Sequence, residues 1–168
     1  MPLRNGTKER QPSKCGEKLT HVIATGGGSG IMEAANRGAH DVKAKSIGFH
    51  IVLPFEQTPN PFITPDLSFQ FHYFAIRKMR FLLRAIALIV FPGGFGTVDE
   101  LFETLTLVQT HKIKPIPILL FGKGFSERAV DFDVFVGGGT ISPEDLSLFQ
   151  YVEEAEEAWE IVREANDI

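Results

Sequence analysis

Short apolar runs alternate along this chain with stretches whose apolar residues recur every three or four positions. Leu19-Thr20-His21-Val22-Ile23-Ala24-Thr25 reads as a short strand running into Gly26-Gly27-Gly28, and a helix is expected from about Ser29 to Asp41. Ser46–Val52 reads as the next strand. Four prolines between Pro54 and Pro65 mark a loop. From Tyr73 to Ala87 the spacing of Ile76, Met79, Leu83 and Ile86 is helical. Leu88-Ile89-Val90-Phe91 is wholly apolar, as suits a parallel strand buried on both faces. A glycine-rich turn follows, then a helix expected from Thr97 to about Thr110 and another apolar strand over Ile116–Phe121. Ser142-Pro143-Glu144-Asp145 has the order of a capped helix start. Glu153–Ala165 reads as an amphipathic helix with Ala155, Ala158, Trp159 and Val162 on its apolar side.

Strands and helices thus alternate, which predicts an α/β, Rossmann-like fold: a parallel sheet with helices on both faces. Strands are expected near 21–25, 46–52, 88–91 and 116–121. Residues 1–18 are polar and carry Lys8, Arg10, Lys14 and Lys18. They read as an N-terminal arm ahead of a single nucleotide-binding domain over 19–168.

Bulk properties narrow the function. The chain has 168 residues and a formal net charge of −4, without the basic excess of a general nucleic-acid binder. The single cysteine, Cys15, allows no intrachain disulfide and fits a reducing, cytoplasmic setting. No apolar stretch is long enough for a membrane span. The five histidines, at 21, 40, 50, 72 and 111, lack metal-ligand spacing and read as surface or core residues. Neither a metal nor a cofactor is called for.

Two turns carry the candidate chemistry. Gly26-Gly27-Gly28-Ser29-Gly30 and Gly93-Gly94-Phe95-Gly96 each follow an apolar strand and precede a helix. Glycine admits an anion close to the backbone, and the helix start offers free N–H groups. In an open parallel sheet both turns fall at the carboxyl ends of the strands, where ligands bind. A single turn of this kind is equally explained as a tight connection; two in one small sheet favour a ligand. Thr97 and Glu100 have capping-box spacing, with a second reading that places the Glu100 carboxylate at the mouth of the phosphate turn. Arg77, Arg80 and Arg84 share a helix face, either as a solvated basic stripe or with the first of them reaching into the crevice.

Pro92-Gly93-Gly94-Phe95-Gly96-Thr97-Val98-Asp99-Glu100 resembles the PGGxGTxxE signature of the Lonely Guy (LOG) family, once labelled "lysine decarboxylase". Arg77-Lys78 is similar to the RK pair that precedes that signature, and Gly26–Ala34 resembles the family's first glycine turn. Leu53–Gln57 and Gly139–Glu144 resemble the longer, bacterial-type branch. The resemblance implies hydrolysis of the N-glycosidic bond of a cytokinin riboside 5′-monophosphate or AMP, as in cytokinin biosynthesis, by a homodimer or higher even oligomer. It implies Arg77 and Glu100 as the catalytic pair. It implies binding contacts from Gly27, Gly28, Gly30, Met32, Glu56, Lys78, Gly93, Gly94, Phe95, Gly96, Thr97, Asp99 and Thr106. Family members begin with a further strand, turn and helix that residues 1–18 do not resemble. A truncated or diverged member is therefore expected, with a gap beside the crevice. Other readings are a non-catalytic nucleotide or molybdenum-cofactor carrier, which shares the PGGxGT turn, and a structural dimerisation module.

Overall fold

A computed structural model describes residues 21–52 and 58–168. The expected arm over 1–18, the first two residues of the first strand, and Leu53–Gln57 with Glu56 lie outside the described residues.

The elements run β1 (Ile23–Thr25), α1 (Ile31–Asp41), β2 (Ser46–Ile51), β3 (Ser68–Phe71), α2 (Phe74–Leu82), β4 (Leu88–Val90), α3 (Phe95–Gln109), β5 (Ile118–Phe121), α4 (Lys123–Ala129), α5 (Phe132–Gly137), β6 (Gln150–Val152) and α6 (Ala155–Asn166). Short 3-10 turns cover Pro65–Leu67 and Pro143–Leu148. Every strand pairing is parallel. β1, β2 and β3 form one sheet in that order, and β4, β5 and β6 form a second. Ile23 lies opposite Ser46 and Gly48 opposite Ser68 in the first sheet; Leu88 faces Ile118 and Leu119 faces Gln150 in the second.

The expected α/β, Rossmann-like arrangement of parallel strands with helices around them is what forms. β5 shows the physical basis. Its side chains alternate across the sheet, so Ile118 and Leu120 join the core cluster of Leu101, Val108, Phe132 and Phe149, while Leu119 joins Val152, Ala158 and Val162. The first cluster lies under α3 and α5 and the second under α6. Burying such side chains on both faces contributes roughly 1.5–3 kcal/mol for each large aliphatic residue.

Several expectations are corrected. Two strands are additional: β3, and β6 beside β5. The strands form two sheets, and no ladder joins β1 to β4 among the described residues. β4 was expected to be buried on both faces, yet Ile89 is 43% exposed. Among the described residues it has a strand partner on one side only, and the doubly covered strand is β5. The stripe Ile76–Met79–Leu83, whose spacing marks this helix, is exposed at all three positions, Met79 at 66%. α2 also ends at Leu82, where Leu83 closes it with a bond from its amide to the Met79 carbonyl. On α6, Ala158 and Val162 are buried as expected, while Ala155 and Trp159 face outward. The capping box at Ser142 forms: its amide donates to Asp145 Oδ2 at 2.8 Å. No helix among the described residues is long and apolar enough to cross a membrane.

Candidate functional site

The first glycine turn is fixed from below by a buried polar cluster. The Thr25 hydroxyl donates to Asn36 Oδ1 at 2.7 Å and accepts from the Gly27 amide at 3.0 Å. Asn60, on the proline-rich loop, donates through Nδ2 to Asn36 Oδ1 at 3.0 Å and to the Gly28 carbonyl at 3.1 Å. Its own amide donates to the Gly27 carbonyl at 2.9 Å. Thr25, Asn36 and Asn60 are all buried, so these bonds replace water the chain has excluded. Gly27 adopts φ 74°, which favours glycine, and a Cβ there would collide with the His50 imidazole. Gly30 stands at the start of α1 with no side-chain cap, leaving the first-turn amides open. Met32 folds its sulfur back against Gly26, within 3.0 Å of where a Cβ would stand.

The second glycine turn opens α3. The helix begins at Phe95 with Gly94 as its N-cap, two residues earlier than the sequence pattern predicts. This overturns the capping-box reading of Thr97 and Glu100. The Thr97 and Val98 amides donate to the Gly94 carbonyl at 3.0 and 3.1 Å, and no side chain caps this end. Thr97 instead lies within the first turn, its hydroxyl packed where a Gly93 side chain would be. Phe95 projects from the turn, 98% exposed.

Glu100, freed from capping, turns to α2. Arg77 Nη2 lies 3.5 Å from Glu100 Oε1, with both side chains largely buried. At that distance the contact is an ion pair without a short hydrogen bond. Arg77 Nε and Glu100 Oε2 are buried and have no hydrogen-bond partner among the described residues. Burial pushes the Glu100 carboxyl above its ordinary 4.5, outweighing the opposing pull of Arg77. The Arg77 guanidinium is steered by the rings of Phe74 and Phe81, 5.7 and 5.3 Å from their centroids.

The neighbouring Lys78 is occupied. Its ammonium donates to Asp99 at 2.7 Å and pairs with Glu103 at 3.3 Å. The hydrogen bond to Asp99 is the main cause holding its pKa above the ordinary lysine value. The structure therefore brings Arg77, Lys78, Asp99 and Glu100 together between α2 and α3, with Gly93–Thr97 at the end of the same helix. Thr106 is not part of this group. It lies nine residues beyond Thr97, about 13 Å further along the helix, with its hydroxyl bonded to the Phe102 carbonyl at 2.7 Å. Arg80 and Arg84 are exposed, as the solvated-stripe reading expects.

Sequence reasoning missed His50, Asn36 and Asn60. His50 is on β2 two residues after Gly48, so both face the same side of the sheet. Its Nε2 lies 2.9 Å from Ser68 Oγ on β3, and its ring rests against Gly27. Burial first, and then the Arg77 charge, lower its pKa below 6.5. The signal available in sequence was a glycine at i−2 of a strand histidine, which makes room for a ring on that face.

A family described as "Possible lysine decarboxylase" matches residues 32–162, a span holding Arg77, Lys78 and the whole second glycine turn. The cytokinin riboside 5′-monophosphate phosphoribohydrolase LOG of Oryza sativa subsp. japonica is 31% identical over 131 residues, covering 75% of this chain and 52% of its own length. A cytokinin riboside 5′-monophosphate phosphoribohydrolase of Arabidopsis thaliana is 28% identical over 131 residues, covering 76% of this chain and 58% of its own. The chain spans 52% to 58% of the length of the curated relatives it matches.

Proposed function

The chain belongs to the Lonely Guy family, and from that premise we propose that it hydrolyses the N-glycosidic bond of a purine nucleoside 5′-monophosphate, a cytokinin riboside 5′-monophosphate or AMP. The observation that carries the proposal is Glu100. Its carboxylate is held by Arg77, largely buried, with no hydrogen-bond partner for Oε2 among the described residues.

The reaction breaks the bond between the sugar C1′ and the base nitrogen, whose electron pair leaves with the base. Water adds its oxygen to C1′ and its proton passes to the base, giving free base and ribose 5-phosphate. Positive charge builds on the ribose as the bond lengthens, and a fixed, poorly hydrated carboxylate stabilises it more than it stabilises the neutral ground state. Glu100 supplies that carboxylate. Arg77 favours its ionised form at neutral pH and limits its rotation. The 5′-phosphate rests at Gly93, Gly94, Gly96 and Thr97, where the start of α3 presents free amides and a partial positive charge. Gly27, Gly28, Gly30 and Met32 border the other side of the crevice.

The decarboxylase description finds no support at Lys78. A Schiff-base lysine reacts as the neutral amine. Lys78 is kept protonated by two carboxylates.

The assembly proposed with this function is a homodimer or larger even oligomer in which α2 lies at the interface. Incubation of the protein with AMP and with N6-isopentenyl-AMP, followed by separation of free base, tests the activity. Binding without release of base would leave the carrier reading in its place.

A further inference from the structure

Pairwise relations link four groups of the two glycine turns and the elements beside them. The Gly93 turn has Thr97 packed against it. Glu100 is paired with Arg77. His50 is close enough to Arg77 to feel its charge. Gly27 of the first turn lies under the His50 ring.

The imidazole has a built seat. A Cβ on Gly27 would collide with it, and a Cβ on Gly48 would stand 2.9 Å from Nε2. Ser68 Oγ, 2.9 Å from Nε2, fixes the rotation of the ring. Nδ1 takes no hydrogen bond among the described residues.

We propose that His50 is the base-recognising residue of this site, its Nδ1 hydrogen-bonding the purine of a nucleotide whose phosphate rests at the Gly93 turn. The inference rests on the function proposed above and adds to it the side of the crevice that reads the base. With the phosphate at the Gly93 turn and the glycosidic carbon at Glu100, the base extends past Arg77 onto His50 and Gly27. Chemistry favours the base over the phosphate as the partner. Burial and the neighbouring arginine keep the imidazole neutral at pH 7. With Nε2 taken by Ser68, a neutral ring leaves Nδ1 as donor or acceptor according to its tautomer, which suits an amino group or a ring nitrogen, whereas a phosphate dianion is better served by Arg77 and the helix amides.

The test compares AMP with ribose 5-phosphate, which lacks the base. Both are titrated calorimetrically into the parent, His50→Ala and Ser68→Ala, with thermal melts to confirm folding. His50→Ala is expected to weaken AMP binding by about tenfold or more, the scale of one lost hydrogen bond, and to leave ribose 5-phosphate binding within about twofold. Ser68→Ala removes an exposed hydroxyl and should show the same contrast at smaller amplitude, whether or not His50→Ala folds. Equal weakening of both ligands would make His50 only a prop for the Gly27 turn and overturn the inference. So would AMP binding that neither variant changes. A parent that binds neither ligand brings down the proposed function as well, so the two failures are told apart by the parent alone.

Discussion

Arg77 Nη2 on α2 and Glu100 Oε1 on α3 stand 3.5 Å apart, an ion pair that joins the helix packed on the first sheet to the helix packed on the second. Lys78, paired with Asp99 and Glu103, joins the same two helices. The Arg77–Glu100 pair leaves one carboxylate oxygen and one guanidinium nitrogen buried without hydrogen bonds among the described residues. Buried polar atoms of that kind cost free energy unless a ligand completes them.

Glu100→Gln removes the charge and keeps the shape. Hydrolysis of AMP is expected to fall by at least about 100-fold, the scale of losing a preorganised electrostatic partner. Nucleotide binding should persist, because the start of α3 still faces the phosphate. Helix α3 should be unaffected, since Glu100 caps nothing. Steady-state kinetics beside AMP titration of the variant checks this, and hydrolysis at the parent rate would falsify the catalytic role.

Stability should depend on pH through the same carboxyl. Its folded pKa lies above 4.5, so the folded chain keeps this proton longer than the unfolded chain does. The contribution is fully present below the unfolded pKa and is lost as pH rises through the folded one. Glu100→Gln, which cannot ionise, should therefore gain stability relative to the parent as pH rises through that window. Urea midpoints of both proteins across the acid range measure the difference. Parallel curves would show that burial does not shift this group. The acid limb of hydrolysis should likewise fall above the usual glutamate range, because the ionised form acts.

The cluster beneath the first glycine turn should carry stability as well as position. Asn60→Ala removes bonds to Asn36 and to the Gly28 carbonyl and leaves their acceptors buried. A loss of about 1–3 kcal/mol is expected, with weaker nucleotide binding as the turn loosens. Thermal unfolding and AMP titration read the two effects. A variant as stable as the parent would mean that water reaches this cluster.

The exposed stripe on α2 predicts association. Ile76, Met79 and Leu83 present an apolar face that no described residue covers. Light scattering should find an even oligomer at micromolar concentration, and Met79→Glu should shift it towards monomer. A parent that is monomeric under these conditions would refute the proposed interface.

Much of this protein is legible along the chain. The strands at Ile23–Thr25, Ser46–Ile51, Leu88–Val90 and Ile118–Phe121 sit inside the apolar runs that predict them, although only β5 has the burial that such a run leads one to expect. β3 and β6 are harder to read. Ser68–Phe71 is mostly exposed, and Gln150–Val152 opens on an exposed glutamine and runs straight into Glu153-Glu154, so neither leaves an apolar run. The glycine turns and the Arg77-Lys78 and Thr97–Glu100 spacings mark the candidate site without its geometry.

Sequence by itself determined the alternation of strands and helices, the parallel order and the place of both glycine turns, since each is set by residues near in the chain. Tertiary structure alone decided the rest. It chose between two local uses of Glu100, because starting α3 at Phe95 removes the cap and leaves the carboxylate to Arg77, 23 residues earlier. It set which apolar stripes are covered, burying Ala158 and exposing Met79, since helical periodicity marks a face and not what packs on it. It also seated His50 between Gly27 and Gly48 and against Ser68, a neighbourhood drawn from three segments whose meeting no local pattern encodes.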